Sequence, residues 1–318
     1  MSSEEQYLQP IMEALAEALP RVTIGVKRTT TPGMKKGSRI SGHYLDEWQD
    51  FKTDVTEFIN KAKGIKRQSA GQSGAGPSAD PPNPKLAETK ISRVGNSHPY
   101  IIGQEDGLKS KVIELPAEPM NRIVEQAFTG RTSRIRRPFP GNIDLEGVRF
   151  ADPKCVQAVF GKEPRDAPDM VILRTGKNEP PALIAPIEIK TFWTLDLDYL
   201  NIRKVEKRKI LGYWLGQLVH YMNTSQSQYG ALTTLEETVF LKRMSVTSIH
   251  VTVPITSGDT GPSLREAMFY FMDLLTHDSP EPDKKSSKKS SKKHPSNVLF
   301  GNPLSEGNPS RASRQRVE

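Results

Sequence analysis

Two acidic residues and a lysine form the part of this chain whose residue types and spacing best suit catalysis. Asp169 follows Pro168 and opens the apolar run DMVILRT, whereas Glu188 and Lys190 lie in a second apolar run, LIAPIEIK. Both runs are short and rich in branched aliphatic residues, so they predict two strands that follow one another along the chain. The sequence therefore predicts carboxylates on neighbouring strands, with an ammonium group beside one of them.

Alternation along LIAPIEIK separates the charged residues from an apolar face. Successive side chains of a strand point to opposite faces, so Glu188 and Lys190 share a face and lie about 7 Å apart at ~3.3 Å per residue. Ile184 and Pro186 belong to the same face. The opposite face is expected to pack into the core and carries Leu183, Ala185, Ile187 and Ile189.

The chemistry that fits this set is metal-dependent hydrolysis of a phosphodiester. Two carboxylates can share one Mg²⁺ or Mn²⁺, because Mg²⁺ takes few protein carboxylates and keeps several waters. Such an ion polarises a phosphodiester and lowers the pKa of a bound water. An ammonium group beside it can orient that water or stabilise the developing charge.

The tripeptide (D/E)-x-K is common, and its context decides its value. It occurs five times in this chain, beginning at Asp50, Glu88, Asp152, Glu188 and Asp283. Only Glu188 lies in a strongly apolar strand that is preceded by a Pro-Asp pair at the start of another. The alternative is that Glu188 and Lys190 face solvent on a half-buried strand.

A predicted helix over residues 200–225 adds a polar side chain to this constellation. Trp214, Gln217, Leu218 and Tyr221 recur at helical spacing, which places Gln217 in the inward apolar stripe. A buried amide must find hydrogen-bond partners, and a polar site at the strand edge would supply them. The alternative is a glutamine at the border of the stripe, with its hydrogen bonds made to backbone.

These motifs, taken in order, resemble the PD-(D/E)XK nuclease superfamily, which has the restriction-endonuclease-like fold. The order is Pro168-Asp169, then Glu188-Ile189-Lys190, then a helix with Gln217-Leu218 and Tyr221-Met222, then a strand that opens YGAL. More narrowly, the chain is similar to fungal nuclease-like proteins that sometimes precede a fungal-type protein kinase. The resemblance covers residues 168–243 well and 118–278 loosely.

The resemblance implies an α/β (α+β) fold with a core of helix, three strands, helix and strand, built on a central mixed sheet flanked by helices. It implies that Asp169 and Glu188 bind Mg²⁺ or Mn²⁺, that Lys190 is the catalytic lysine and that Gln217 lies near the scissile phosphate of DNA. Many members also carry a glutamate on the first core helix, for which Glu125 is the candidate, with a solvated surface residue as the alternative. A second hypothesis is a nuclease fold without turnover that binds nucleic acid or protein.

Composition predicts that folded and unpacked segments share the chain. Hydrophobic residues make up 35 % of the 318 positions, which indicates long segments outside any core. The run RQSAGQSGAGPSADPPNPK and residues 279–318 hold few bulky side chains, so both are predicted to be disordered. The predicted organisation is a mostly helical segment over 1–65, a linker over 66–87, the nuclease-like domain over 88–278 and a Lys/Ser-rich tail over 279–318.

The N-terminal segment is expected to contain an amphipathic helix, a strand at VTIGVK and a second helix with one apolar face from Leu45 to Ala62. Apolar residues recur there at spacings of three and four, which is typical of one buried helix face. A third hypothesis is that this face docks a protein partner. The residues of the face are Leu45, Trp48, Phe51, Val55, Phe58, Ile59 and Ala62.

Basic residues are the predicted contacts to the phosphates of DNA. The net charge is +8, but residues 279–318 alone hold nine Lys and Arg against four Asp and Glu, so the basic pI says little about the folded surface. Two clusters outside the tail could bind phosphates without sequence preference. The alternative is an ordinary solvated surface. The candidates are Arg134 and Arg136 in a loop, and Arg203, Lys204, Lys207 and Arg208 at the start of the helix.

The sequence also favours an intracellular protein without a membrane partner. No run approaches the ~18 apolar residues that span a bilayer. The single cysteine, Cys155, excludes an internal disulfide and fits a reducing compartment. The tail repeats KKSS, which is typical of a nuclear-localisation or nucleic-acid-tethering segment, with a solubilising tail as the alternative.

Overall fold

The computed structural model describes residues 3–19, 22–29, 40–69, 100–125, 143, 145–160, 167–176, 180–192, 195, 202–203, 208–245, 247–256 and 261–277. In this part of the chain the helices are α1 (Ser3–Ala16), α2 (Phe51–Ser69), α3 (Glu105–Val112), α4 (Glu118–Val124), α5 (Gln157–Phe160), α6 (Arg208–Thr224) and α7 (Leu264–His277). The strands are β1 (Val22–Thr29), β2 (Leu45–Glu47), β3 (Tyr100–Gln104), β4 (Val148–Ala151), β5 (Met170–Arg174), β6 (Ala182–Ile189), β7 (Tyr229–Thr233), β8 (Glu237–Ser245), β9 (Ser248–Val251) and β10 (Ile255–Thr256).

A mixed sheet lies at the centre of the described structure, in the order β2-β9-β8-β7-β6-β5-β4, with β10 paired to β8. The chain runs through β4, β5 and β6 as antiparallel neighbours, passes along α6 and returns in β7 parallel to β6. Helices cover the sheet, so the predicted α/β class with a central mixed sheet and flanking helices is confirmed. Within the described residues, no helix is both long and apolar enough to cross a bilayer.

The pairing of β5 with β6 places the two predicted carboxylates side by side. Met170 pairs with Ile187 in an antiparallel register, so Asp169, just before β5, lies next to Glu188. A bulge between Ile172 and Leu173 shifts the register by one residue further along the pair. The predicted alternation is therefore interrupted within β6.

The bulge makes the predicted facing of one apolar residue wrong. Ala185, Ile187 and Ile189 join the main core, as expected, but Leu183 packs against a second core cluster, which contains Val171 and Tyr221. Ile184, which was expected on the charged face, packs against the main core instead. An extra residue in one strand reverses the facing of the residues beyond it, and the local sequence carries no sign of it.

The N-terminal segment belongs to the same core as the rest of the fold. Strand β2 pairs in parallel with β9, which lies at the other end of the chain, and α2 packs against α7. The predicted apolar face of the second helix is buried, but in this chain's own core rather than free for a partner. Leu45 was expected in that helix and lies in β2 instead, because pairing with Ile249 holds residues 45–47 extended.

Two predicted boundaries differ from the structure. Helix α2 continues to Ser69, so residues 66–69, expected in the linker, are helical. The helix expected over 200–225 begins at Arg208, since Ile202 and Arg203 form a turn. Ile202 is fully buried in the core between α6 and the sheet, which anchors this turn.

Candidate active site

Glu188 is a buried carboxylate at the end of the central strand β6. Glu188 is only 2 % exposed to solvent, so the alternative of a solvent-facing glutamate is wrong. Strand β6 is covered on both faces, and its buried residues form a continuous run from Ala185 to Ile189. A carboxylate in such a place loses its hydration and must be compensated by charges or hydrogen bonds.

Lys190 provides the first compensation and connects the strand to α6. Its Nζ donates to Glu188 Oε1 at 2.5 Å and to Gln217 Oε1 at 3.1 Å. Gln217 Nε2 then donates to the hydroxyl of Tyr221 at 2.7 Å, one helical turn further on. Gln217 therefore faces inward and makes its hydrogen bonds with side chains of the site, as the first of the two sequence-based interpretations expected.

Asp169 is fixed by two bonds, one to each carboxylate oxygen. The backbone N–H of Ile189 donates to Oδ2 at 2.8 Å, and the ammonium of Lys109 lies 2.8 Å from Oδ1. The backbone bond ties the start of β5 to the end of β6, between Glu188 and Lys190. The structure therefore brings Asp169, Glu188, Lys190 and Gln217 together in one cluster.

The electrostatics of the cluster follow from burial and from two neighbouring carboxylates. Burial raises the pKa of Glu188 to about 8, with a further contribution from the charge of Asp169, while Lys190 and Lys109 act in the opposite direction. Burial tends to lower the pKa of Lys190, but Glu188 and Asp169 outweigh it and raise that pKa above its ordinary value. The two carboxyl groups thus repel each other, and cations nearby relieve the repulsion.

One oxygen of the cluster has no partner. Glu188 Oε2 is buried and accepts no hydrogen bond from the described residues. A buried acceptor left alone costs roughly 1–3 kcal/mol, and a charged one costs more. An orphaned carboxylate oxygen beside a second carboxylate is a donor set that fits a hard divalent cation. In the ranges that the structure describes, no three His, Cys, Asp or Glu side chains form an ion-binding group.

Glu125, the glutamate predicted on the first core helix, is exposed at the end of α4, as the alternative of a surface residue expected. A helical carboxylate beside the cluster is Glu105, at the start of α3, whose Oε1 lies 3.4 Å from Lys109 Nζ. Lys109 in turn contacts Asp169, which links Glu105 to the site.

Sequence reasoning also missed Lys109. Burial opposes its charge, but Asp169 and Glu105 raise the pKa of Lys109 above its ordinary value. Glu105 and Lys109 are spaced four apart, a pair that usually indicates an exposed helix face. Only the ion pair between Lys109 and Asp169 in the folded chain reveals that this pair reaches the site.

The predicted phosphate contacts are only partly within the described structure. Arg203 is exposed and forms an ion pair with Glu47 at 2.6 Å, which joins its turn to β2. Arg208 is half-buried, and its Nε donates to the carbonyl of Ile202 at 3.2 Å. Both bonds stabilise the entry into α6. The predicted contacts outside the described residues are Lys204, Lys207, Arg134 and Arg136, together with the tail over 279–318.

The cluster is the main guide to the function of this chain. Comparisons with models of protein families, with curated proteins and with solved structures each give no match. Function therefore has to be argued from the carboxylates, the lysine and the strands and helices that hold them.

Proposed function

We propose that this chain is a metal-dependent nuclease that hydrolyses phosphodiester bonds of DNA at the cluster of Asp169, Glu188, Lys190 and Gln217. The observation that carries the proposal is Glu188, a buried carboxylate with one oxygen on Lys190 and the other without a hydrogen-bond partner among the described residues. A structural ion pair would be expected to satisfy both oxygens. A carboxylate that coordinates a cation through one oxygen needs no hydrogen-bond donor at that oxygen.

The order of the elements supports the same proposal. Apart from the short α5 between β4 and β5, a helical run is followed by three antiparallel strands, a helix and a strand parallel to the third, which is the order expected of a restriction-endonuclease-like core. Such a core would have its site beside the second and third of these strands, and Asp169 precedes β5 while Glu188 lies near the end of β6. We include Glu105 as the carboxylate that the helical run contributes, in place of Glu125.

Each residue has a role that follows from its contacts. Asp169 and Glu188 would hold Mg²⁺ or Mn²⁺, which when bound polarises the phosphate and acidifies a water. Lys190 holds its ammonium at the buried edge of the site, where it can orient the attacking water and offset charge on the phosphate. Gln217 fixes Lys190, and the hydroxyl of Tyr221 in turn fixes Gln217.

The test is cleavage of supercoiled plasmid DNA with Mg²⁺ or Mn²⁺. We expect cleavage by the wild type and a loss on the order of 100-fold or more in Asp169→Ala and Lys190→Ala, the scale found when one transition-state contact is removed. Glu118→Ala is the matched control, because Glu118 is an exposed carboxylate paired with Arg122 on α4. Equal cleavage by all four proteins would overturn the proposed site.

A second measurement separates this proposal from a nuclease fold without turnover. Isothermal titration of the wild type with MnCl₂ and, separately, with a short DNA duplex reports each binding step on its own. Binding of DNA without any binding of Mn²⁺ would support the non-catalytic reading. Binding of Mn²⁺ that is abolished in Glu188→Gln would support the nuclease.

A further inference from the structure

Lys109 occupies the position that a cation at Asp169 would need. Its Nζ lies 2.8 Å from Asp169 Oδ1 and 3.4 Å from Glu105 Oε1, so one ammonium lies between two carboxylates from different elements. The other oxygen of Asp169 already accepts the N–H of Ile189. An ion that binds Asp169 through Oδ1 would therefore meet the ammonium of Lys109.

The Lys109 side chain is exposed enough for its ammonium to move away from Asp169. Its side chain is 31 % exposed, whereas those of Asp169 and Glu188 are 14 % and 3 % exposed. A lysine at the rim can swing its ammonium into water without unfolding α3, because its flexible stem keeps the charge near the surface. Lys190, with its side chain 16 % exposed and bonded to both Glu188 and Gln217, has no comparable freedom.

Lys109 and a divalent cation would compete because both would lie on the same carboxylate oxygen, Asp169 Oδ1. Two cations on one oxygen of a half-buried site repel each other strongly, since the effective dielectric there is well below that of water. Without a cation, however, the carboxylates of Asp169 and Glu105 would face each other uncompensated.

We propose that Lys109 is a built-in competitor for the metal: it neutralises Asp169 in the metal-free protein and is displaced when a divalent cation binds. This inference rests on the proposed metal site and adds a regulatory residue to it. Lys109 then sets the cation concentration at which the site loads. It stabilises the metal-free fold and weakens metal binding through the same contact.

The test compares Mn²⁺ binding and thermal stability in the wild type, Lys109→Met and Lys109→Arg. Methionine keeps the length of the stem and removes the charge. We expect Lys109→Met to bind Mn²⁺ about ten-fold more tightly, equivalent to ~1.4 kcal/mol, and to melt at a lower temperature in EDTA. Lys109→Arg keeps the competing charge, so its affinity should stay near that of the wild type.

Lys111→Met is the matched control, because Lys111 lies on the same helix and pairs with Glu114. It should leave the affinity for Mn²⁺ unchanged. Mn²⁺ binding of equal strength in the wild type and Lys109→Met would overturn the competition and leave the proposed nuclease intact. Failure of all four proteins to bind Mn²⁺ would overturn the metal site itself, and the competition with it.

Discussion

At the scale of single residues, the energetics of the site depend on a carboxylate in a place that would otherwise take an aliphatic side chain. Glu188 is flanked along β6 by buried Ile187 and Ile189, and it forms one short bond to Lys190. Replacing such a residue by a hydrophobic one often stabilises a protein, so burial of this pair is not explained by stability. The metal site proposed above would give this carboxylate a reason to be buried.

Glu188 should make the stability of the fold depend on pH. Its pKa is about 8 in the folded chain, against an ordinary value of 4.5. Between these values the folded chain binds the proton more tightly than the unfolded chain, so the free energy of unfolding falls as pH rises and levels off above pH 8. Glu188→Gln lacks this dependence on pH. In urea unfolding without metal, the free energy of unfolding of the variant should therefore rise relative to that of the wild type between pH 4.5 and 8, by a few kcal/mol in total.

The control for this measurement is Glu118→Gln, which changes an exposed carboxylate on α4. Its unfolding free energy should run parallel to that of the wild type throughout. A Glu188→Gln curve that is also parallel to the wild type between pH 4.5 and 8 would contradict the assigned burial of this carboxylate.

The residues of the site could be predicted only where the signal was local. Asp169, Glu188 and Lys190 were found because strand alternation and the order of the two strands bring them together. Glu105 and Lys109 were missed because a Glu–Lys pair at four-residue spacing occurs on most exposed helices. No local pattern says that the turn of α3 that carries them faces the start of β5.

At the scale of elements, Arg265 of α7 connects the end of α1 to the helical run that contains Pro116 and Pro119. The α-helical donor to the carbonyl of Leu115 would be residue 119, which is a proline without an N–H. Arg265 Nη2 donates to that carbonyl at 3.1 Å, and Nη1 donates to the carbonyl of Ala14 in the last turn of α1 at 3.0 Å. One guanidinium thus bonds a carbonyl that a proline leaves without its usual donor and another at the end of a helix, where carbonyls have no intrahelical donor.

Arg265→Met should therefore destabilise the fold strongly. Arg265 is 1 % exposed and also pairs with Glu17 at 2.7 Å, so methionine would leave two carbonyls and a carboxylate without this donor. We expect a loss of about 3 kcal/mol in the free energy of unfolding, measured by urea denaturation. Arg122→Met removes an arginine that pairs with Glu118 on an exposed face and should cost no more than ~0.5 kcal/mol. Similar losses in the two variants would refute this role.

The elements that sequence reasoning found and those that it missed differ in how much of their stability is local. Helix α6 and strands β5, β6 and β7 carry apolar patterns of their own and were predicted. Strands β2 and β4 have only three and four residues, and they exist because β9 and β5 pair with them. The outer edge of β4 is covered by Asn121, whose side chain bonds both the N–H and the carbonyl of Phe150.

At the scale of the whole molecule, the N-terminal segment packs directly against α6. Ile40 donates its N–H to the carbonyl of Gly212 at 3.1 Å, and a Cβ on Gly212 would lie 2.2 Å from the carbonyl oxygen of Ile40. Only glycine lets the N-terminal segment approach α6 so closely. The site therefore rests on a fold that needs residues far upstream of its motifs.

The aromatic contacts of Phe51 also link the N-terminal segment to the rest of the fold. Its ring stacks on Phe240 of β8 at 4.9 Å, meets Trp48 edge-on at 4.9 Å and lies 5.5 Å from Tyr270 of α7. Phe51 is fully buried, so loss of the segment that carries it would expose the apolar faces of β8 and α7 to water. Burial on this scale contributes roughly 1.5–3 kcal/mol for each large side chain.

Fragments 1–85 and 86–318, expressed together as separate chains, should therefore associate and co-purify, while 86–318 alone should be insoluble or lack a cooperative thermal transition. Phe51→Asp in the first fragment should abolish the association, because it places a charge among three aromatic rings. Lys61→Asp changes an exposed residue of the same helix and should leave it intact. If 86–318 alone melted at the temperature of the intact chain, the N-terminal segment would not contribute to the stability of the fold, and the site would need nothing before residue 86.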